Sequence, residues 1–314
     1  FRYQRDYVRF TSPDVIDAMK LVLSGNPVVA LCQGLRCVFP ILQVPNSTTP
    51  FLFDMDDIEH VSFARRILEP PVWKSKYLQY LQIPALAWAE FVALRRSKVT
   101  FVCSRLDQSK LNKLFCTKKA YVLPNAVESR DVRQPSKAFR FLILGHYSFA
   151  PNRVGADHFV SRVWPAVVAA HPEAQLVVAG ADPHLLSCYS DSLLGVTFPG
   201  YVTDLELLYS ETRVVICPIL SGGGTRLKIM EAAAYGRPIV STSIGAEGIE
   251  LKNGEEIVIA DSPSAMAEAC IRLISDDCLV LSLGSTAKAA IEKLYSRERI
   301  VARLGALLSS VMIP

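Results

Sequence analysis

At 314 residues the chain is long for one domain and comfortable for two, given a common domain size of roughly 100–200 residues. It is 50% hydrophobic against 20% charged, which supplies apolar material for two large cores and excludes a disordered chain. A net charge of only +4, with no long basic block and no interleaving of aromatic and basic residues, argues against a nucleic-acid partner.

The chain opens on a polar, aromatic segment (1–10) that lacks the strand and glycine-bearing turn with which a doubly wound domain usually starts. The first unit therefore reads as incomplete at its start, and with no initiator methionine the chain reads as part of a longer protein. Asn26–Cys32, Pro50–Phe53 and Val99–Cys103 are expected to be short buried strands. A long helical stretch, about 61–96, separates the last two and is interrupted near Pro70-Pro71 and Pro84. Tyr121–Asn125 reads as the last strand of this half. The polar, proline-bearing run from Glu128 to Lys137 is expected to be an interdomain linker. Beyond it, strand-length apolar runs ending in Gly or Pro alternate with amphipathic stretches. The strands are expected at Phe139–Gly145, Ala174–Gly180, Gly195–Gly200, Arg213–Pro218, Pro238–Thr242 and Glu256–Ala260, with helices at about 153–170 and 226–235. Such βαβ repetition predicts a doubly wound α/β domain around a buried parallel sheet. In the last helix Ile300, Leu304, Leu307, Leu308 and Val311 form an apolar face that needs a partner.

The eight cysteines include no C-x-x-C pair and sit mostly in apolar surroundings, which suits reduced, buried thiols and a cytoplasmic location rather than disulfides or a zinc site. No apolar run reaches the ~18 residues that a membrane span requires. The basic clusters Arg95-Arg96-Ser97-Lys98 and Lys118-Lys119 leave peripheral contact with an anionic membrane face open, against the plainer reading of solvated surface charge.

In an open parallel sheet, ligands bind at the carboxyl ends of the strands. The strongest candidate there is Pro218-Ile-Leu-Ser-Gly-Gly-Gly-Thr-Arg-Leu-Lys-Ile-Met-Glu231, where a strand end, three glycines and a helix start follow one another. Glycines let a ligand approach the backbone, and a helix N-terminus offers unpaired N–H groups and partial positive charge, so phosphate is the natural guest. Lys228 can add a cation, and the Glu231 carboxylate can accept hydrogen bonds from ribose hydroxyls. The alternative is a flexible loop followed by an ordinary surface Lys–Glu pair. A second candidate is Phe53-Asp54-Met55-Asp56-Asp57, whose three carboxylates at a strand end repel one another and need a cation, a metal or a hydroxyl-bearing ligand. The alternative is helix capping by Asp54 or Asp57.

The stretch Gly222–Thr242 resembles the signature of retaining glycosyltransferase family 4, the glycosyl transferases group 1. So do Gly245–Gly248, Phe198–Asp204, Gly145 with Pro151-Asn152, Leu123–Glu128, Cys103–Asp107 and the Asp54-x-Asp56-Asp57 group. The resemblance runs from about residue 26 to the C-terminus and is densest in the second half. It implies a GT-B fold, two Rossmann-like parallel-sheet domains facing a cleft. On that basis residues 1–130 form an acceptor-side domain, 138–294 the domain that binds the nucleotide-sugar, and 295–314 a helix returning to the first domain.

By the same resemblance Glu231 takes the ribose and the amides of Ser221, Gly222, Gly223, Gly224 and Thr225 face the diphosphate and sugar. Lys228 lies near the phosphates, Tyr201 and Val202 border the base, and Gly145 lets the diphosphate approach the backbone. Asp54 and Asp56 stand where many relatives carry a histidine that meets the reacting sugar or acceptor, and are the catalytic candidates. The implied donor is a UDP-, GDP- or dTDP-sugar, bound as substrate with no separate cofactor. The implied acceptor is a bacterial glycan or glycolipid, and no metal is expected.

The sequence departs from the family twice. Gly223 replaces a glutamate that contacts the sugar in many members. The loop His146–Asn152 lacks their diphosphate-binding Arg and Lys, leaving His146 either as a substitute or as a bystander. These departures keep two rivals open: a GT-B enzyme that epimerises or hydrolyses the nucleotide-sugar, and a non-catalytic subunit that binds it.

Overall fold

The computed structural model describes residues 12–25, 27–44, 48–68, 77–130, 134–190 and 192–312. The chain divides into two compact units, 1–124 with 301–314 and 125–300.

In the first unit, helix α1 (Pro13–Ser24) leads to strand β1 (Ala30–Gln33) and α2 (Gly34–Leu42), then β2 (Phe51–Met55) and α3 (Glu59–Leu68). Helix α4 (Gln82–Arg96), β3 (Val99–Val102), α5 (Arg105–Phe115) and β4 (Ala120–Val122) follow. The four strands pair in parallel in the order β1-β2-β3-β4. The expected helical stretch 61–96 contains α3, a single helical turn at Tyr77–Tyr80 and α4, and Pro70-Pro71 after α3 lies outside the described residues. Strands β2 and β3 are buried along almost their whole length, as the inner strands of a parallel sheet covered on both faces must be.

The second unit begins with an extended segment that packs on it instead of forming a spacer. Val127 N–H donates to the Tyr295 carbonyl at 3.0 Å, and Lys288 donates to the Arg130 carbonyl at 2.7 Å. These bonds fix the unit boundary at Pro124/Asn125, ahead of the expected linker. Strand β5 (Arg140–Leu144) is followed by α6 (Ala150–Arg162) and α7 (Trp164–Ala170), then β6 (Gln175–Ala179) and β7 (Val196–Gly200). Next come α8 (Leu205–Ser210), β8 (Val214–Cys217), α9 (Leu227–Ala234), β9 (Ile239–Ser241) and β10 (Val258–Ile259). The one helix expected over 153–170 is broken at Val163, because Pro165 has no N–H to donate to the Ser161 carbonyl four residues back and its ring crowds that carbonyl.

The six strands are all parallel, in the order β10-β9-β8-β5-β6-β7. Chain order therefore reverses between β5 and β8, and the loops after these two strands diverge around a crevice. Helices α10 (Pro263–Ser275) and α11 (Asp277–Tyr295) cover the sheet, their junction fixed by Asp276, which accepts from Leu279 N–H at 2.8 Å. Buried Arg213 donates to the carbonyls of Leu273 and Ile274 at the end of α10 and pairs with Asp277. The last helix, α12 (Arg297–Met312), sets Leu304, Leu307 and Leu308 against Leu52, Val99 and Phe101 of the first unit's sheet. Ile300 is also buried, and the Val311 side chain lies outside the described residues.

Candidate functional site

Reversal of strand order brings together the loop after β5 and the glycine loop after β8. In the latter, Gly222 (φ +103°) and Gly224 (φ +70°) adopt backbone that side chains disfavour. A side chain at Gly222 would also crowd Pro151 and Arg226. The Arg226 guanidinium turns back on the loop and donates to the Gly223 carbonyl and, at 2.9 Å, to the Gly224 carbonyl. With those carbonyls held, the loop runs into α9, whose first turn has no side-chain cap. Uncapped first-turn amides and the helix dipole favour an anion here.

Thr225 and Lys228 are each held by a distant asparagine. Asn125 Nδ2 donates to Thr225 Oγ1 at 2.9 Å, and Lys228 Nζ donates to Asn152 Oδ1 at 2.8 Å. Burial lowers the Lys228 pKa below its ordinary value, and the Arg226 charge adds to the effect. Ser221 is buried beneath the loop. Gly145 follows β5 beside Gly180, which follows β6 and where an added Cβ would fall 1.6 Å from the Gly145 carbonyl oxygen, so the two strand exits touch backbone to backbone. His146 is exposed, with Nδ1 2.6 Å from Ser148 Oγ and Nε2 3.7 Å from Asp182.

One turn beyond Lys228, Glu231 lines a cleft of about 180 Å³ with Val127, Arg130, Leu205, Leu227 and Tyr235. Burial raises the Glu231 pKa, while Arg130 and Lys228 pull it down less strongly. The charge is thus held ready beside two cations but is incompletely solvated, which suits a carboxylate that accepts from hydroxyl groups. Below it Tyr235 stacks on Tyr209 at 4.4 Å between ring centres. The Tyr209 hydroxyl, fully buried, has no hydrogen-bond partner among the described residues. Tyr201 is 75% exposed, whereas Val202 packs on the core below α9.

The acidic group belongs to the first unit. Asp54, next to last in β2, is half-buried, and burial followed by the Asp56 charge raises its pKa. Cys103 Sγ lies 3.5 Å from the Asp56 carbonyl and 3.7 Å from its carboxylate. Asp57 accepts from the Ser62 hydroxyl in the first turn of α3. Among the described residues the most deeply buried acid in this unit is Glu90, which accepts from His60 N–H at 3.2 Å and also pairs with its ring. Among the described residues, no group of three or more His, Cys, Asp or Glu is placed to hold a metal ion.

The donor-side candidates therefore all lie in the second unit: Gly145, Ser221 to Thr225, Lys228 and Glu231 around the β5/β8 crevice, with Tyr201 and Val202 after β7. Sequence reasoning gave no role to Arg226, Asn125, Asn152 or Arg130. Asn125 and Asn152 were visible only as pieces of the family pattern, since their partners lie 100 and 76 residues away.

Residues 138–276 match the family model of glycosyl transferases group 1. An uncharacterized 44.6 kDa protein in the cps region of Klebsiella pneumoniae is 25% identical over 167 residues. That match covers 51% of this chain and 43% of the relative, so the chain spans less than half of it. Sucrose-phosphate synthase from Thermosynechococcus elongatus superposes with a TM-score of 0.76 at 18% identity, covering 95% of this chain and 77% of that one. Anabaena HepE, solved in complex with UDP, gives 0.72 at 14% identity, covering 95% and 82%. The fold is GT-B. No helix among the described residues is long and apolar enough to cross a membrane, and no disulfide joins any of the eight cysteines.

Proposed function

We propose that this chain is a retaining glycosyltransferase that moves a sugar from a nucleoside diphosphate sugar to a hydroxyl acceptor in polysaccharide or glycolipid synthesis. The observation that carries this reading is the pairing of Glu231 with the Lys228-flanked glycine loop at the β5/β8 crevice. The match to glycosyl transferases group 1 supports it, as does a relative in a cps region and a neighbour of the same fold that binds UDP. Glu231 accepts from the ribose hydroxyls and Tyr201 and Val202 border the base. The amides from Ser221 to Thr225, with Lys228, face the diphosphate, and Gly145 leaves room for it. As the glycosidic bond breaks, negative charge gathers on the diphosphate, where the α9 N-terminus and Lys228 stabilise it without reorganisation. Those groups do the work of a divalent cation, so the reaction needs no metal. Asp54 and Asp56 act on the acceptor side.

The unlinked thiols fit a reducing, cytoplasmic location. Exposed Trp88, on the helix that ends in Arg95 and Arg96, fits peripheral contact with an anionic membrane face.

Gly223, in place of a sugar-contacting carboxylate, favours a second reading, a subunit that binds the nucleotide-sugar without catalysis. Incubation with UDP-, GDP- and dTDP-sugars and a panel of glycan and lipid acceptors separates the readings. Transfer with the anomeric configuration kept supports the proposal. Release of free sugar in every case points to a hydrolase, and donor binding without turnover points to the binding subunit.

A further inference from the structure

The loop after β5 and the first turn of α9 are joined through Asn152, in the first turn of α6. It lies over Gly145, where an added Cβ would come within 3.2 Å of Asn152 Cβ and Cγ. Its Nδ2 donates to the His146 carbonyl at 3.1 Å, and its Oδ1 accepts from Lys228 Nζ at 2.8 Å. Both ends of the amide are thus engaged, and its orientation is fixed by two partners of opposite character.

The chemistry of this acceptor matters because Lys228 is poorly solvated. A carboxylate in the same place would hold the ammonium equally well but would cancel its charge. The amide takes one of the three ammonium donors and leaves the charge and the other two donors for an anion. This neutral hold occurs in a loop without the Arg and Lys with which many family members meet the diphosphate.

We propose that Asn152 is a positioning residue that holds the Lys228 ammonium, with its charge intact, where the donor diphosphate binds. The inference rests on the donor-binding reading above. It also gives the missing side chain at Gly145 a second purpose, which is to make room for Asn152.

The test uses two variants and two readouts. UDP and uridine binding are measured by calorimetry on the wild type, Asn152→Ala and the isosteric Asn152→Asp. The proton affinity of Lys228 is followed in the unliganded proteins by carbon NMR of ¹³Cε-labelled lysine, assigned with Lys228→Met. UDP binding is expected to weaken roughly tenfold in Asn152→Ala, about the worth of one hydrogen bond to a charged group, and at least as much in Asn152→Asp. Uridine binding should stay unchanged in both. The Lys228 pKa should move in opposite directions, down in Asn152→Ala as an acceptor is lost and up in Asn152→Asp as an anion arrives. Equal weakening of uridine and UDP, or a Lys228 titration that ignores both substitutions, overturns the proposal. A wild type that binds no UDP, GDP or dTDP while Lys228 still responds to Asn152 overturns the donor reading instead, and with it the role given to Lys228.

Discussion

Both units are parallel α/β sandwiches, yet they differ at the carboxyl ends of their strands. In the second unit those ends are built from glycine and backed by cations. Gly145 and Gly180 meet backbone to backbone, Gly245 sits where a Cβ would come 2.8 Å from the Cys217 carbonyl, and Arg226 and Lys228 stand at the start of α9. In the first unit the ends carry carboxylates, Asp54 and Asp56, and Gly34 opens α2 with nothing within 4 Å of its missing side chain. Close backbone packing with positive charge suits one rigidly held anionic ligand. Open ends that carry a half-buried Asp54 and an exposed Asp56 suit a neutral, hydroxyl-bearing one. On the proposed function this difference divides the labour between the units: donor at the second, acceptor chemistry at the first.

Substitutions can break this contrast. The largest effect is expected from Gly180→Ala, which places a Cβ on the Gly145 carbonyl and should cost ~3 kcal/mol or more. Gly34→Ala faces only its left-handed backbone, φ +71°, and should cost about 1 kcal/mol. Denaturant unfolding measures both, and equal costs would remove the packing half of the contrast.

Next in size, Asp56→Asn should slow transfer ~100-fold or more if it acts as an acid or base, and leave UDP affinity unchanged. Treatment of the wild type with EDTA should leave transfer intact. Loss of UDP binding in Asp56→Asn, or activity abolished by EDTA and restored by manganese, would put donor chemistry in the wrong unit.

The smallest effect concerns stability. The Glu231 pKa is raised in the folded chain, so the folded state binds its proton more tightly than the unfolded state does. The stabilising contribution of that proton is full below the ordinary carboxylate range and is lost as pH rises through the raised value. At neutral pH the ionised carboxylate is therefore a net cost, and Glu231→Gln should raise the unliganded Tm. The gain should shrink as pH falls toward the ordinary value near 4.5. A Tm lowered by the substitution at neutral pH would mean that Arg130 and Lys228 more than offset the burial.

Much of the second unit was legible because a parallel strand buried on both faces reads as a short apolar run with a Gly or Pro at its end. Phe141 to Ile143 and Val214 to Cys217 follow that rule. The first unit was less so. Helix α2 begins at a glycine and contains Pro40, both of which argue against a helix in sequence. The start of the segment 128–137 reads as a linker because the anchors of Ser129 and Arg130, Glu292 and Lys288, lie more than 150 residues further on. In the site, Gly222 to Gly224, Lys228 and Glu231 were legible because a strand, a glycine loop and a helix give each a geometric reason. Asn152 and Asn125 were not, since a single amide, whether in the first turn of α6 or in a loop, has no periodicity and its meaning lies in a partner far along the chain.

The most direct test is calorimetric titration of UDP, GDP and dTDP into the wild type and Glu231→Ala. The wild type is predicted to bind at least one of the three. Glu231→Ala should lose ~1.5–3 kcal/mol with that nucleotide, the range for a hydrogen bond to a charged group. No binding by the wild type, or the same affinity in both proteins, would contradict the assignment of the second unit as the donor site.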